Sequence, residues 1–183
     1  MSRITTPARI KDAPEASQEL LTNVQKSLGS VPNIFSIISN SPAVLEGYLG
    51  LSASLGKGTL SAATRERIAL AVAQLNGCDY CLAAHTYLAQ NVANLNGVEI
   101  EANRAGTSTD AKAAIAVKFA VEIARSRGKV DKYAIAALKQ AGFSEAEIVE
   151  IIGNVALNVL TNYINEVLDT DIDFSATKLA KTA

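Results

Sequence analysis

The sequence predicts an all-α protein of about seven helices, and three observations predict it. Past residue 14, apolar residues recur at spacings of three and four. No stretch alternates with the period of two that a strand requires. Glycine, proline or a capping residue punctuates the changes of segment. The whole chain, 1–183, is expected to be a single domain, with an N-terminal arm over 1–13, a core over about 40–95 and a tail over 170–183.

The elements follow in order. Leu20, Leu21, Val24 and Leu28 fall at helical spacing before Gly29, and "SVPN" breaks the chain after them. "NIFSIISN" makes a turn or two of helix, closed by Ser41-Pro42. "PAVLEGYLGLSASLG" starts on a proline that a first helical turn tolerates, its glycines weaken the middle, and "GKG" ends it. Ser61 caps "AATRERIALAVAQLNG", whose Ile68, Leu70, Ala71, Val72 and Leu75 form a broad apolar face stopped by Asn76-Gly77. The next helix starts at Cys78 or Asp79 and runs through "CLAAHTYLAQNVANL". After a glycine-containing link, Thr109 or Asp110 caps "AKAAIAVKFAVEIARSRG", and Asp131 caps "KYAIAALKQAG". Ser144 and Glu147 have capping-box spacing at the head of "EAEIVEIIGNVALNVLTNYINEVL". "DTDIDFSATKLAKTA" reads as an extended tail. The alanine-rich face of "AKAAIAVKFA" and the "IVEIIGNVALNVLTNY" helix are candidates for core or subunit contacts. Asn162 and Asn165 read as polar helix surface, with pocket lining as the alternative.

Composition narrows the function. Of 183 residues, 49% are hydrophobic and 19% charged, a globular balance rich enough in apolar groups to suggest surface covered by other subunits. The net charge is -1 and no basic stripe interleaves with aromatics, so nucleic acid is not an expected partner. "MSRITTPARIKDAPE" lacks the apolar core of a secretion signal, and nothing approaches the ~20 apolar residues of a membrane span. A cytoplasmic protein without a membrane partner is expected. In that compartment thiols are kept reduced, so a CxxC pair is catalytic or metal-binding more often than a structural staple.

Both cysteines and the only histidine fall within "CDYCLAAH", residues 78–85. A thiolate at the cap or first turn of a helix faces unsatisfied backbone N–H groups and the positive end of the helix dipole, an advantage that falls to Cys78. Cys81, three residues on, is spaced to close a small disulfide ring with it. His85 lies one turn beyond Cys81 on the same face, where an imidazole can take a thiol proton. If the Asn76-Gly77 turn folds the two helices antiparallel, Glu66 faces back toward His85, while Arg65 and Arg67 point elsewhere. Zinc is the rival reading. Cys78, Cys81 and His85 supply three of the four ligands it wants, and Glu66 or Asp79 could complete the set, but no second Cys/His knuckle exists. A thioredoxin-type site needs a strand before the CxxC, and none is predicted.

Glu66, eleven residues, Cys78-Asp79-Tyr80-Cys81, three residues and His85 together make the pattern E-x11-C-x-x-C-x3-H. In this the chain resembles the AhpD-like alkylhydroperoxidases of the carboxymuconolactone decarboxylase superfamily, most specifically over residues 40–95. The resemblance implies an AhpD-like all-helical fold, assembled as a trimer or hexamer, and a thiol peroxidase that reduces organic hydroperoxides. It makes Cys81 the peroxidatic thiol, passing through a sulfenic acid, and Cys78 the resolving thiol and proton donor. His85 and Glu66 become the proton relay. Its reductant is a dithiol such as a lipoyl-domain protein, and it calls for no cofactor and no metal. The family role agrees with spacing, because His85 is four residues from Cys81 but seven from Cys78, roughly 10 Å along a helix axis. One departure is Tyr80, where some members carry a second histidine; it puts a doubled proton path in doubt. A carboxymuconolactone decarboxylase activity, which needs no dithiol, and a redox-sensing or zinc-binding module remain as alternatives.

Overall fold

The computed structural model describes residues 2–174. Among these it is all-helical: a 3-10 turn over Ile10–Asp12, then α1 (Glu15–Leu28), α2 (Asn33–Ile38), α3 (Pro42–Gly56), α4 (Ala62–Asn76), α5 (Asp79–Asn91), α6 (Gly97–Arg104), α7 (Ala111–Ser126), α8 (Lys132–Gln140) and α9 (Glu145–Leu168). None of these helices is long and apolar enough to cross a membrane.

The caps expected at Ser61, Asp110, Asp131 and Ser144 are in place, and Ser41 supplies a further one. Ser41, Ser61, Asp110, Asp131 and Ser144 each accept a backbone N–H from the first turn of the following helix, and Ser144 with Glu147 forms the full capping box. Each such cap contributes about 1 kcal/mol by pairing a donor that the helix leaves orphaned. Gly29 and Gly77 end α1 and α4 in the left-handed region, at φ +79° and +70°, where a residue with a Cβ is strained.

At the centre lies α4, packed against α5, α6, α7 and α9. Six consecutive residues, Ile68 to Ala73, are buried, so this stretch of the helix is apolar all the way round and is enclosed on every side. Its small alanines let neighbours approach, while Ile68, Leu70 and Val72 fill the space between them, each contributing roughly 1.5–3 kcal/mol by burial. One apolar cluster joins α4, α7, α8 and α9 through Ile68, Phe119, Leu138 and Ile151; another joins α1, α2 and α3 to the start of α5 through Leu21, Ile37, Leu45 and Cys81. The left-handed turn at Gly77 brings α5 onto α4, and the dithiol thereby sits at the edge of the second cluster.

Two expectations need correction. The link between α5 and α7 contains a helix, α6, opened by Asn96, whose side chain accepts the N–H of Glu99. Its pattern is not amphipathic in the ordinary sense, because it buries a charged and an amide side chain, Glu99 and Asn103, beside Ile100. Glu99 is 3% exposed and accepts from Arg67 Nε (2.6 Å), Asn103 Nδ2 (2.9 Å), Ser108 Oγ (2.5 Å), the Thr109 N–H (2.7 Å) and the Thr109 hydroxyl. Burial alone would raise its pKa, but these hydrogen bonds outweigh it and hold the carboxyl well below the usual range. Thr109 is thus spent on Glu99, and Asp110 is left to cap α7.

The second correction concerns the tail. Residues 170–174 are non-helical as expected, yet they fold back over the molecule instead of trailing from it. Asp173 accepts the N–H of Asn33 at 2.8 Å, the Asn33 side chain donates to the carbonyl of Asp171 at 2.8 Å, and Thr170 is buried. The expected tail over 175–183 lies outside the described residues.

Candidate active site

Cys78 is the N-cap of α5: its Sγ accepts the backbone N–H of Cys81 at 3.2 Å, the position that a serine or aspartate takes at other caps. Cys78 and Cys81 are joined as a disulfide, with Cα atoms 5.3 Å apart. Cys78 is fully buried and Cys81 is 3% exposed.

His85 and Glu66 meet as their spacing suggests. The antiparallel α4–α5 pair sets Glu66 Oε2 2.8 Å from His85 Nδ1, with both side chains about four-fifths buried. A carboxylate only accepts, so Nδ1 carries the proton in this pair. In the neutral imidazole, Nε2 then has the lone pair. Arg67 turns away to Glu99, and Arg65 donates to the carbonyl of Leu60. Asp79 is exposed at the start of α5. No group of three or more His, Cys, Asp or Glu side chains converges as a metal site among the described residues.

A cavity of about 510 Å³ opens onto Cys81. Its polar groups include His85, Tyr48 and Asn165, and its walls are mostly apolar or aromatic, with Ile34, Phe35 and Phe174 among them. A smaller cavity of about 170 Å³ lies on the other side of the His85–Glu66 pair, and Tyr48, Ser52 and Thr161 border both.

Two residues of the Cys81 cavity, Asn165 and Tyr48, come from far along the chain. Asn165 of α9, for which the sequence left helix surface and pocket lining open, does line the cavity; it is buried and its Nδ2 donates to Cys81 Sγ at 3.2 Å. Asn162 is fully buried as well, accepting from Asn76 Nδ2 at 2.8 Å rather than lining the cavity. Their signal was the spacing of Asn154, Asn158, Thr161, Asn162 and Asn165, which puts a polar stripe on one face of α9. Tyr48 of α3 had no such signal, because glycines dilute the pattern of that helix. Its ring lies 5.8 Å from that of Phe35, and its phenol is pushed up to about 12 by burial and then by the nearby Glu66 carboxylate. Tyr80 does more than pack. Its hydroxyl accepts the Ile34 N–H at 3.2 Å and donates to Asp173 Oδ1 at 2.9 Å, and Phe174 meets its ring edge-on at 5.6 Å. Burial, before any neighbouring charge, holds that phenol well above its ordinary value.

An all-helical fold with a CxxC pair beside a histidine–carboxylate pair defines a class, and comparison with known proteins agrees. Residues 42–125 match the model of the carboxymuconolactone decarboxylase family. No curated protein matches the chain significantly. Among solved structures it is similar to the alkylhydroperoxidase AhpD core of a peroxidase-related protein from Ralstonia eutropha, with TM-score 0.84, 20% identity and coverage of 94% of this chain and 92% of that one. A peroxidase-related protein from a Silicibacter species gives TM-score 0.79 at 23% identity, over 93% and 94% of the two chains. The debrominase Bmp8, in complex with 2,3,4-tribromopyrrole, gives 0.78 at 22%, over 94% of each chain.

Proposed function

We propose that the protein is a thiol-dependent peroxidase that reduces organic hydroperoxides through a Cys78–Cys81 dithiol/disulfide cycle. The observation that carries this reading is Cys81 at the floor of a largely apolar cavity, with a carboxylate-oriented imidazole one helical turn away. In the reduced protein, His85 Nε2 takes the Cys81 proton while Glu66 stabilises the imidazolium that forms. The Cys81 thiolate attacks the terminal oxygen of R–O–O–H. An S–O bond forms, the O–O bond breaks, and Cys81 becomes a sulfenic acid while the alkoxide leaves and takes up one proton, equal to the one His85 removed, to become the alcohol. Cys78 then attacks that sulfur; its thiol proton goes to the departing hydroxyl, water leaves, and the disulfide seen here is formed. A dithiol reductant, such as a dihydrolipoyl group on a partner protein, returns two electrons and two protons.

Asn165 supports the same step, since an amide N–H aimed at Cys81 Sγ favours the thiolate. The apolar cavity suits a hydroperoxide with a bulky organic group. A cytoplasmic location, where dithiol reductants are abundant, and assembly into a homo-oligomer such as a trimer or hexamer belong to the proposal. In support of assembly, Val149, Ile152, Tyr163 and Val167 leave apolar surface exposed along α9.

Cumene hydroperoxide consumption with dihydrolipoamide as reductant tests the reading. The parent protein should turn over, and Cys81→Ser should lose at least about 10³-fold, since a serine hydroxyl is not ionised at neutral pH. Turnover that survives the substitution would remove Cys81 from the mechanism. The likeness to a debrominase supplies the rival substrate: bromide release from 2,3,4-tribromopyrrole without hydroperoxide consumption would assign the dithiol to carbon–halogen reduction instead.

A further inference from the structure

Breaking the O–O bond expels an alkoxide, a base far too strong to leave without a proton. The thiol proton has been taken by His85, so the reaction needs an acid that faces the cavity beside Cys81. The resemblance offers Cys78 as a proton donor, but Cys78 is fully buried and is not among the residues lining this cavity. Its proton is in place for the later step, in which sulfur meets sulfur.

The other groups are committed or unsuited. Tyr80 gives its proton to Asp173 while accepting from Ile34, and Tyr87, the third phenol on this cavity, is about half exposed and does not border the smaller cavity that holds Glu66. Thr161 donates to carbonyls of its own helix. Asn165 is an amide, not an acid, and points its N–H at Cys81. Ser52 is an aliphatic alcohol, no stronger an acid than the alcohol that leaves. Tyr48 differs from all of these. A phenol is a weaker acid than a thiol, so it stays protonated at neutral pH, yet it is a far stronger acid than any alcohol. It borders the Cys81 cavity and also the smaller polar cavity that holds Glu66, so it lies between the reacting site and the pair that stores the thiol proton.

We propose that Tyr48 is the general acid of the peroxidase reaction, giving its phenolic proton to the alkoxide as Cys81 opens the O–O bond. This role rests on the peroxidase reading. The balance is complete: the Cys81 proton passes to the His85–Glu66 pair, the Tyr48 proton goes to RO⁻ to make ROH, and the tyrosinate recovers a proton from the imidazolium. Burial and the Glu66 charge hold the phenol near 12, which keeps it protonated until the alkoxide appears.

The test exploits the leaving group. Peroxyacetic acid expels acetate, which needs no proton, whereas cumene hydroperoxide expels an alkoxide. Sulfenic acid formation on the fully reduced protein is followed in a single turnover, so that no reductant enters. Tyr48→Phe should lower the rate with cumene hydroperoxide about 10²-fold, the low end of what general acid catalysis contributes, and the rate with peroxyacetic acid less than about tenfold. Equal losses on the two substrates, or no loss on either, would overturn the role while leaving the peroxidase standing. A parent protein that consumes no hydroperoxide would overturn both. The parent alone gives a second measurement that needs no variant. Across hydroperoxides of graded leaving-group basicity its rate should vary little, because the acid compensates; a steep dependence would overturn the proposal.

Discussion

Glu66 and Glu99 are both carboxylates withdrawn from bulk water, and the protein holds them in opposite ways. Glu99, its side chain 4% exposed, accepts five hydrogen bonds from α4, its own helix and the loop before α7. Glu66, its side chain 18% exposed, bonds His85 through one oxygen and borders a polar cavity with the rest of its carboxyl. The contrast teaches how to tell a fastener from a working group. A carboxylate whose lone pairs are all occupied has nowhere to take a proton and ties its neighbours together. One with lone pairs to spare, paired to an imidazole beside a thiol, can move protons.

If the contrast is right, conservative substitutions should separate the two. Glu66→Gln should slow hydroperoxide reduction about 10²-fold at neutral pH, because an amide cannot stabilise the imidazolium, while the melting temperature moves by less than about 2 °C. Single-turnover kinetics beside a thermal melt reads both quantities, and a large stability loss would make Glu66 a fastener too. Glu99→Gln should do the reverse. Breaking the pair with the largely buried Arg67 costs about 3 kcal/mol, which lowers the melting temperature by roughly 10 °C. The folded variant should keep its turnover, and loss of activity well below the melt would break the comparison from the other side.

The pH dependence of stability sharpens it further. Folding depresses the Glu99 pKa from its ordinary value of 4.5, so the network stabilises the protein above that value. That contribution is lost as pH falls through 4.5 toward the folded value. Melts of the parent and Glu99→Gln should therefore converge below pH 4.5 and stay apart at pH 7. A constant gap would mean that Glu99 acts by shape alone. The smallest effect concerns Asn165. Removing its hydrogen bond in Asn165→Ala should raise the pH midpoint of Cys81 alkylation by about one unit, the worth of one bond to a charged sulfur. An unmoved midpoint would leave Asn165 as packing.

How much of this the sequence discloses depends on the range of the interaction. Helices α1, α3, α4, α5, α7, α8 and α9 were legible because their caps and stops are local chemistry, such as Ser61, Gly77 and the Ser144–Glu147 pair. The Glu66–His85 contact was legible for the same reason: two helices joined by one left-handed glycine leave little freedom in their register. Helix α6 was not, since it buries a carboxylate whose partner Arg67 lies 32 residues earlier. Tyr48 and Asn165 reach the cavity from α3 and α9 through tertiary packing; the polar stripe of α9 made Asn165 a candidate for pocket lining, whereas no spacing rule on α3 singles out Tyr48.

The contact between Asn33 and Asp173 spans 140 residues, and Tyr80 is pinned between the same two segments. During synthesis at about 5–20 residues per second, some ten seconds separate the two ends of that contact. Cys81 precedes Asp173 by 92 residues, so for most of that interval both cysteines are already made while the wall formed by Asp173 and Phe174 does not exist. A nascent chain therefore carries its thiols on an unfinished surface, open to any oxidant or disulfide that passes. The order of manufacture makes the newest copies of this protein the ones most exposed to unsupervised thiol chemistry.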